Sequence, residues 1–168
     1  MGFKKHKATA PKKLDVGIIS VSSTRSITED NSGQWISKRV KKEGHTLVLH
    51  RVVPDETETI TQTLHETIRD YGAQVILVTG GTGISNQDVT IEAVRPLFIK
   101  ELTAFGPLFA QLSFEQIDSA ALLSRATAGV IGTTIVFCMP GSLKACKLAC
   151  KALIFPELGH IVKHIREN

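Results

Sequence analysis

The stretch VILVTGGTGISNQD, Val75 to Asp88, runs four apolar residues straight into Thr79-Gly80-Gly81-Thr82-Gly83 and sets a carboxylate five positions later. A short, unbroken apolar run bounded by turn residues reads as a strand buried on both faces. Such strands belong to parallel sheets, and parallel strands need crossover helices between them. The chain supplies both. LDVGIISV (Leu14 to Val21) and TLVLHRVV (Thr46 to Val53) are further strands of the same kind. Trp35, Ile36 and Val40 recur at helical spacing before Gly44, and Ile60, Leu64, Ile68 and Tyr71 do so before Gly72. After the glycine stretch, TIEAVRPLF reads as a helix broken by Pro96. GVIGTTIVFCM reads as strand bent at Gly132. A helix carrying Leu143, Cys146, Cys150 and Leu153 inward follows, and the last helix shows Leu158, Ile161, Val162 and Ile165. Phe105 to Ala128 gives only mixed signals. The alternation predicts an α/β fold: a three-layer α/β/α sandwich with a mostly parallel central sheet.

The chain of 168 residues, 42% hydrophobic and 21% charged, has room for one compact domain. That domain is expected over residues 14–168. Residues 1–13, MGFKKHKATAPKK, hold five lysines and no acid and read as a basic, flexible tail. The net charge of +4 lies largely in that tail, and no aromatic residues interleave with a basic face. Nucleic acid is therefore not an expected partner. No apolar run reaches the ~18 residues of a membrane span. No secretion signal is visible, and three cysteines fit a reducing compartment, so a cytoplasmic location is expected. Cys146 and Cys150 read as small buried hydrophobes.

Open α/β sheets bind ligands beyond the carboxyl ends of their strands. Three loops of small polar residues fall there: Ser20 to Ser26, with Ser20, Ser22, Ser23 and Arg25; Thr79 to Gly83; and Pro140-Gly141-Ser142. Glycines let a ligand approach main-chain N–H groups, and these, with hydroxyls and a helix N-terminus, form an anion site. The spacing matches neither the dinucleotide fingerprint nor the phosphate-binding P-loop. A turn serving only chain reversal is the alternative. Asp55 and Asp88 are the candidate magnesium ligands, because a phosphate site usually spends one or two carboxylates on that ion. Either could instead cap a helix, and Asp55 precedes Glu58 at capping-box spacing. Arg25 is placed to neutralise phosphate. Arg125 reads equally well as an ion-pair residue and Lys144 as an exposed lysine. His160 and His164 read as a solvated stripe on the last helix.

VTGGTGISNQDVTIEAV, AFGPLFAQLSFEQIDSAALLSRATAGV and FCMPGSLKACKLA together resemble the MoaB/MogA group of molybdenum cofactor biosynthesis proteins, from about Leu14 to His164. The resemblance implies a three-layer α/β fold, molybdopterin binding, and adenylylation of molybdopterin by ATP with Mg2+. It implies a homotrimer or homohexamer. On this chain, Asp55 and Asp88 match the acidic positions that would organise magnesium and phosphates, and Pro140, Gly141 and Ser142 match the third binding loop. A non-catalytic molybdopterin carrier is the alternative. It is favoured by Ser23, where many relatives have Asp, by Asn86-Gln87, where a basic residue is common, and by PGSLK in place of a Pro-Gly-Asn-Pro loop.

Overall fold

The computed structural model describes residues 10–167. Most of the basic tail, residues 1–9, lies outside the described residues. The sheet has six strands in the order β2-β1-β3-β6-β5-β4. They are β1 (Asp15–Val21), β2 (Thr46–Val53), β3 (Val75–Thr79), β4 (Lys100–Glu101), β5 (Thr127–Ile131) and β6 (Thr134–Met139). The pairs β1–β2, β1–β3 and β3–β6 are parallel, whereas β5 runs antiparallel to both β6 and β4. The helices are α1 (Asn31–Lys42), α2 (Thr57–Arg69), α3 (Thr90–Val94), α4 (Phe105–Ile117), α5 (Leu143–Ala149) and α6 (Phe155–Arg166).

Each central strand is apolar along its length because both of its faces are covered. Val16 and Ile18 of β1, Val75 and Leu77 of β3, and Ile135, Phe137 and Met139 of β6 form one core with Ile36, Phe109, Cys146 and Leu158. The alternating residues Ile19, Val21, Ile76, Val78, Val136 and Cys138 form a second core with Ile60, Leu64, Ala93 and Val94. Thus α1, α4, α5 and α6 cover one face, and α2 and α3 the other. This is the three-layer arrangement expected from the sequence.

Several local readings are corrected. The stretch around Gly132 is a hairpin rather than a bend: Ile131 pairs with Thr134 across a two-residue turn, and Gly132 takes φ +59°. Phe105 to Ile117 is helical and continues into a 3-10 segment from Asp118 to Leu123. Tyr71 lies beyond the end of α2 and is exposed. The last two helices, read as separate, run on without a break, because a π-helical turn over Cys150–Ile154 carries α5 into α6, whose second residue is Pro156. The wider turn lets the helix continue past a residue that lacks an N–H. Near the chain start, Pro11 packs on α6: a Cβ at Gly159 would stand 2.8 Å from its carbonyl oxygen.

Candidate functional site

The parallel topology brings the ends of β1, β3 and β6 to one rim, and the three small-residue loops meet there. β3 delivers Thr79 to Gly83. Gly80 and Gly81 take φ +88° and +62°, and a Cβ on Gly80 would lie 2.3 Å from the Val21 carbonyl oxygen. The glycines therefore let this loop fold down against the end of β1. Thr90 holds its far side, donating its hydroxyl to the Gly80 carbonyl at 2.8 Å and its N–H to the Gly81 carbonyl at 2.9 Å. Gly141 packs on top, where its Cβ would lie 3.1 Å from Gly80 Cα, and Ser32 of α1 donates a 2.7 Å hydrogen bond to the Gly141 carbonyl. Ser142 caps α5, accepting the Ala145 N–H at 3.2 Å.

Asp55 does not cap α2. Its Oδ2 accepts the Ser23 N–H at 2.8 Å and the Ser23 hydroxyl at 2.7 Å, while its own N–H donates to Ser23 Oγ at 3.0 Å. That exchange latches the loop after β2 to the loop after β1. The other oxygen, Oδ1, faces the glycine loop, 3.1 Å from where a Gly81 Cβ would stand. Asp88 does not cap α3 either, since α3 begins after Val89 without a side-chain cap. It closes a turn by accepting the Ser85 N–H at 2.9 Å and hydroxyl at 2.7 Å. These bonds from Ser85, then the Gly83 N–H and the Arg125 charge, hold its carboxyl below the ordinary range. A Cβ on Gly83 would meet Asp88 Oδ2 at 2.7 Å. Both aspartates thus stand against the same glycine loop. Arg125 braces that loop from outside, donating Nε to the Thr82 and Gly83 carbonyls at 2.9 and 3.0 Å and pairing with Glu92. Lys144 is exposed. The helix N-terminus expected behind the glycine loop is only the short α3, so the loop amides and side chains carry most of any anion binding.

Beneath the rim lies a polar cluster that the sequence did not reveal. Asp30, 2% exposed, accepts hydrogen bonds from Ser20 Oγ at 2.5 Å and the Gly33 N–H at 2.9 Å, and pairs with His50 Nε2 at 2.8 Å. Thr79 donates to Ser20 Oγ at 3.4 Å. Burial alone would raise the Asp30 pKa, but bonds from His50, Ser20 and Gly33 outweigh it and hold the carboxyl below its usual value. Ser20 and Thr79 therefore support the rim from below. Asp30 sits at a helix-cap position before Asn31-Ser32-Gly33, but a cap gives no sign of a histidine partner twenty residues away. Ser32 and Ser85 carried no signal either.

Arg25 stands between two open cavities. One, of ≈ 510 Å³, is lined by Arg25 with Glu29, Ser32, Trp35, Lys38 and Ser142. The other, of ≈ 500 Å³, is lined by Arg25 with Ser22, Ser23, His50, Arg51 and Pro54. Among the described residues, Arg25 forms no ion pair and no group of three metal-ligating side chains occurs.

A doubly covered, mostly parallel sheet with glycine and serine loops at its carboxyl rim, flanked by carboxylates and an arginine, defines an α/β protein with a candidate anion site at that rim. Residues 17–160 match the family model described as "Probable molybdopterin binding domain". Molybdenum cofactor biosynthesis protein B of Bacillus subtilis (strain 168) is 44% identical over 169 residues, covering 100% of this chain and 99% of the relative. Molybdopterin adenylyltransferase of Pyrococcus furiosus is 42% identical, with 99% of this chain and 100% of the relative covered. A crystal structure of a molybdenum cofactor biosynthesis protein B superposes with TM-score 0.91 at 42% identity, covering 95% of this chain and 100% of that one. The chain belongs to the MoaB/MogA family of molybdenum cofactor biosynthesis proteins.

Proposed function

We propose that the chain binds molybdopterin and transfers to it the adenylyl group of ATP, with magnesium. The observation that carries this reading is Arg25, which lines both cavities at the loop rim and, among the described residues, forms no ion pair. A reaction that joins two phosphate-bearing molecules needs two adjoining sites and a cation between them. The relative named molybdopterin adenylyltransferase supports the same chemistry. In the reaction, a phosphate oxygen of molybdopterin bonds to the α-phosphorus of ATP, the α–β bridging bond breaks, and pyrophosphate leaves. Ser22 and Ser23, the amides of Gly80 to Gly83 and the Pro140-Gly141-Ser142 loop hold the phosphates and the pterin, and Arg25 offsets their charge. Asp55 and Asp88 fit magnesium: both stand at the glycine loop, Asp55 keeps Oδ1 clear of the Ser23 latch, and Asp88 is held ionised. The ion, when bound, supplies further charge neutralisation for the departing pyrophosphate. Catalysis of this type is mainly positioning and charge neutralisation, with little need for a protein nucleophile.

Assembly as a homotrimer or homohexamer belongs to the same proposal. It is supported by the exposed apolar residues of α4 and the following turn, Leu108, Phe114, Ile117, Leu122 and Leu123. So does a cytoplasmic location, which rests on cysteine usage.

The test is pyrophosphate release from molybdopterin, ATP and magnesium, run beside a relative known to turn over. Asp88→Asn is expected to lower turnover at least tenfold while molybdopterin binding changes less than threefold. One observation favours a second reading, the carrier: Asp55 and Asp88 both spend hydrogen-bonding capacity on pinning loops. A carrier binds molybdopterin with no pyrophosphate release, and that result rejects the enzyme reading.

A further inference from the structure

Every carbonyl from Gly80 to Gly83 is held by a donor, and only two residues do the holding. Thr90 gives its hydroxyl to the Gly80 carbonyl and its N–H to the Gly81 carbonyl. Arg125 Nε takes the next two, Thr82 at 2.9 Å and Gly83 at 3.0 Å. Among the described residues every peptide bond is trans. Across a trans peptide, the carbonyl of one residue and the N–H of the next point in opposite directions. Each tied carbonyl therefore aims the following N–H away from its holder. Arg125 in this way sets the N–H groups of Gly83 and Ile84. The Gly83 N–H acts on the Asp88 carboxylate, which places that candidate magnesium ligand on the side facing away from the Arg125 bond. Among the described residues no backbone acceptor takes the amides of Gly81, Thr82 and Ile84.

The guanidinium is itself fixed. Nη1 and Nη2 meet Glu92 Oε1 and Oε2 at 2.6 and 3.2 Å, a two-point pair that leaves Nε for the loop. Glu92 stands on α3, whose first residue is Thr90. One short helix thus anchors all four carbonyls, two directly through Thr90 and two by way of Glu92 and Arg125. The arrangement needs a planar fork with donors on two edges, which a lysine ammonium does not offer. The Arg125 side chain is 33% exposed, so an ion pair with Glu92 contributes little to stability on its own. Its larger effect is on the direction of the loop amides. The same exposure opens the guanidinium position to a small cation from solvent.

We propose that Arg125 is a positioning residue for phosphate: without touching the anion, it turns the Gly83 and Ile84 amides, and through Gly83 the Asp88 carboxylate, to receive it. This rests on the reading of the glycine loop as a phosphate site. The experiment is calorimetric titration of the full chain with inorganic pyrophosphate, which the parent is expected to bind saturably. Arg125→Ala should weaken binding about tenfold, and methylguanidinium added to that variant should restore most of the loss. Arg125→Lys keeps the charge without the fork and should remain about fivefold weak. Glu92→Gln loosens the fork with Arg125 still present and should lose about threefold. Arg69→Ala, which breaks the exposed pair with Asp70, should bind as the parent does. The proposal is overturned by a parent that does not bind pyrophosphate, by parent affinity in Arg125→Ala, Arg125→Lys or Glu92→Gln, or by a loss that methylguanidinium leaves in place. Turnover in the parent with parent affinity in Arg125→Ala overturns this proposal alone. Pyrophosphate binding that depends on Arg125, in a chain that releases no pyrophosphate from ATP and molybdopterin, upholds it and rejects only the transfer reading.

Discussion

Asp30 is a buried carboxylate whose stabilisation has a definite pH signature. Its native pKa is depressed, so the ionised form is the one the fold prefers. Its contribution is complete above the unfolded value near 4 and disappears as pH falls through the lower native value. Asp30→Asn is expected to cost about 1–3 kcal/mol at neutral pH, because Ser20, His50 and Gly33 lose a charged acceptor. Urea unfolding from pH 7 to pH 3 checks the sign: the variant's deficit should shrink below about pH 4. The cysteines give a second test at this scale. Burial pushes the Cys146 thiol up to about 12, and Cys138 and Cys150 are raised by the same cause. All three are buried, and no thiol should react with an aromatic disulfide reagent until the protein unfolds. The burial of Cys146 and Cys150 was legible in the sequence from their helical spacing. The Asp30–His50 pairing was not, because no local pattern links a helix cap to an alternate residue of an edge strand.

At the scale of elements, the same left-handed conformation carries different costs in two turns. Gly132 takes φ +59° with open space around it, so Gly132→Ala pays only for the backbone, about 1–2 kcal/mol. Gly80 at φ +88° also abuts the Val21 carbonyl, so Gly80→Ala must move the end of β1 and is expected to cost about 2–5 kcal/mol. Thermal unfolding of the two variants side by side reads the difference. The strands and the glycine loop could be read in advance because doubly covered strands show as unbroken apolar runs. Helix α4 could not. Phe105 and Phe109 are buried while Leu108, Phe114 and Ile117 are exposed, so apolar residues surround the helix and blur its periodicity. The hairpin turn was equally hidden, since Gly-Thr lacks the usual Asn-Gly or Asp-Gly signal.

At the scale of the whole molecule, α4 and its following turn expose five large apolar side chains, Leu108, Phe114, Ile117, Leu122 and Leu123. Leu122 is 86% exposed and Phe114 57%. Light scattering of the eluting protein is expected to give three or six chains, and Phe114→Glu with Leu122→Glu should shift the mass toward one chain without lowering helix content. No helix among the described residues is long and apolar enough to cross a membrane. The sheet's two edges also differ. β4 is a two-residue strand of Lys100 and Glu101, both exposed, a blunt and charged border that resists pairing with another sheet.

The rim loops are held in place by Ser23 with Asp55 between two loops, and by Ser32 of α1 on Gly141 and Thr90 of α3 on Gly80. Such a mould is set before its contents arrive. Ligand capture then proceeds without a slow closing phase, and little configurational freedom is surrendered on docking.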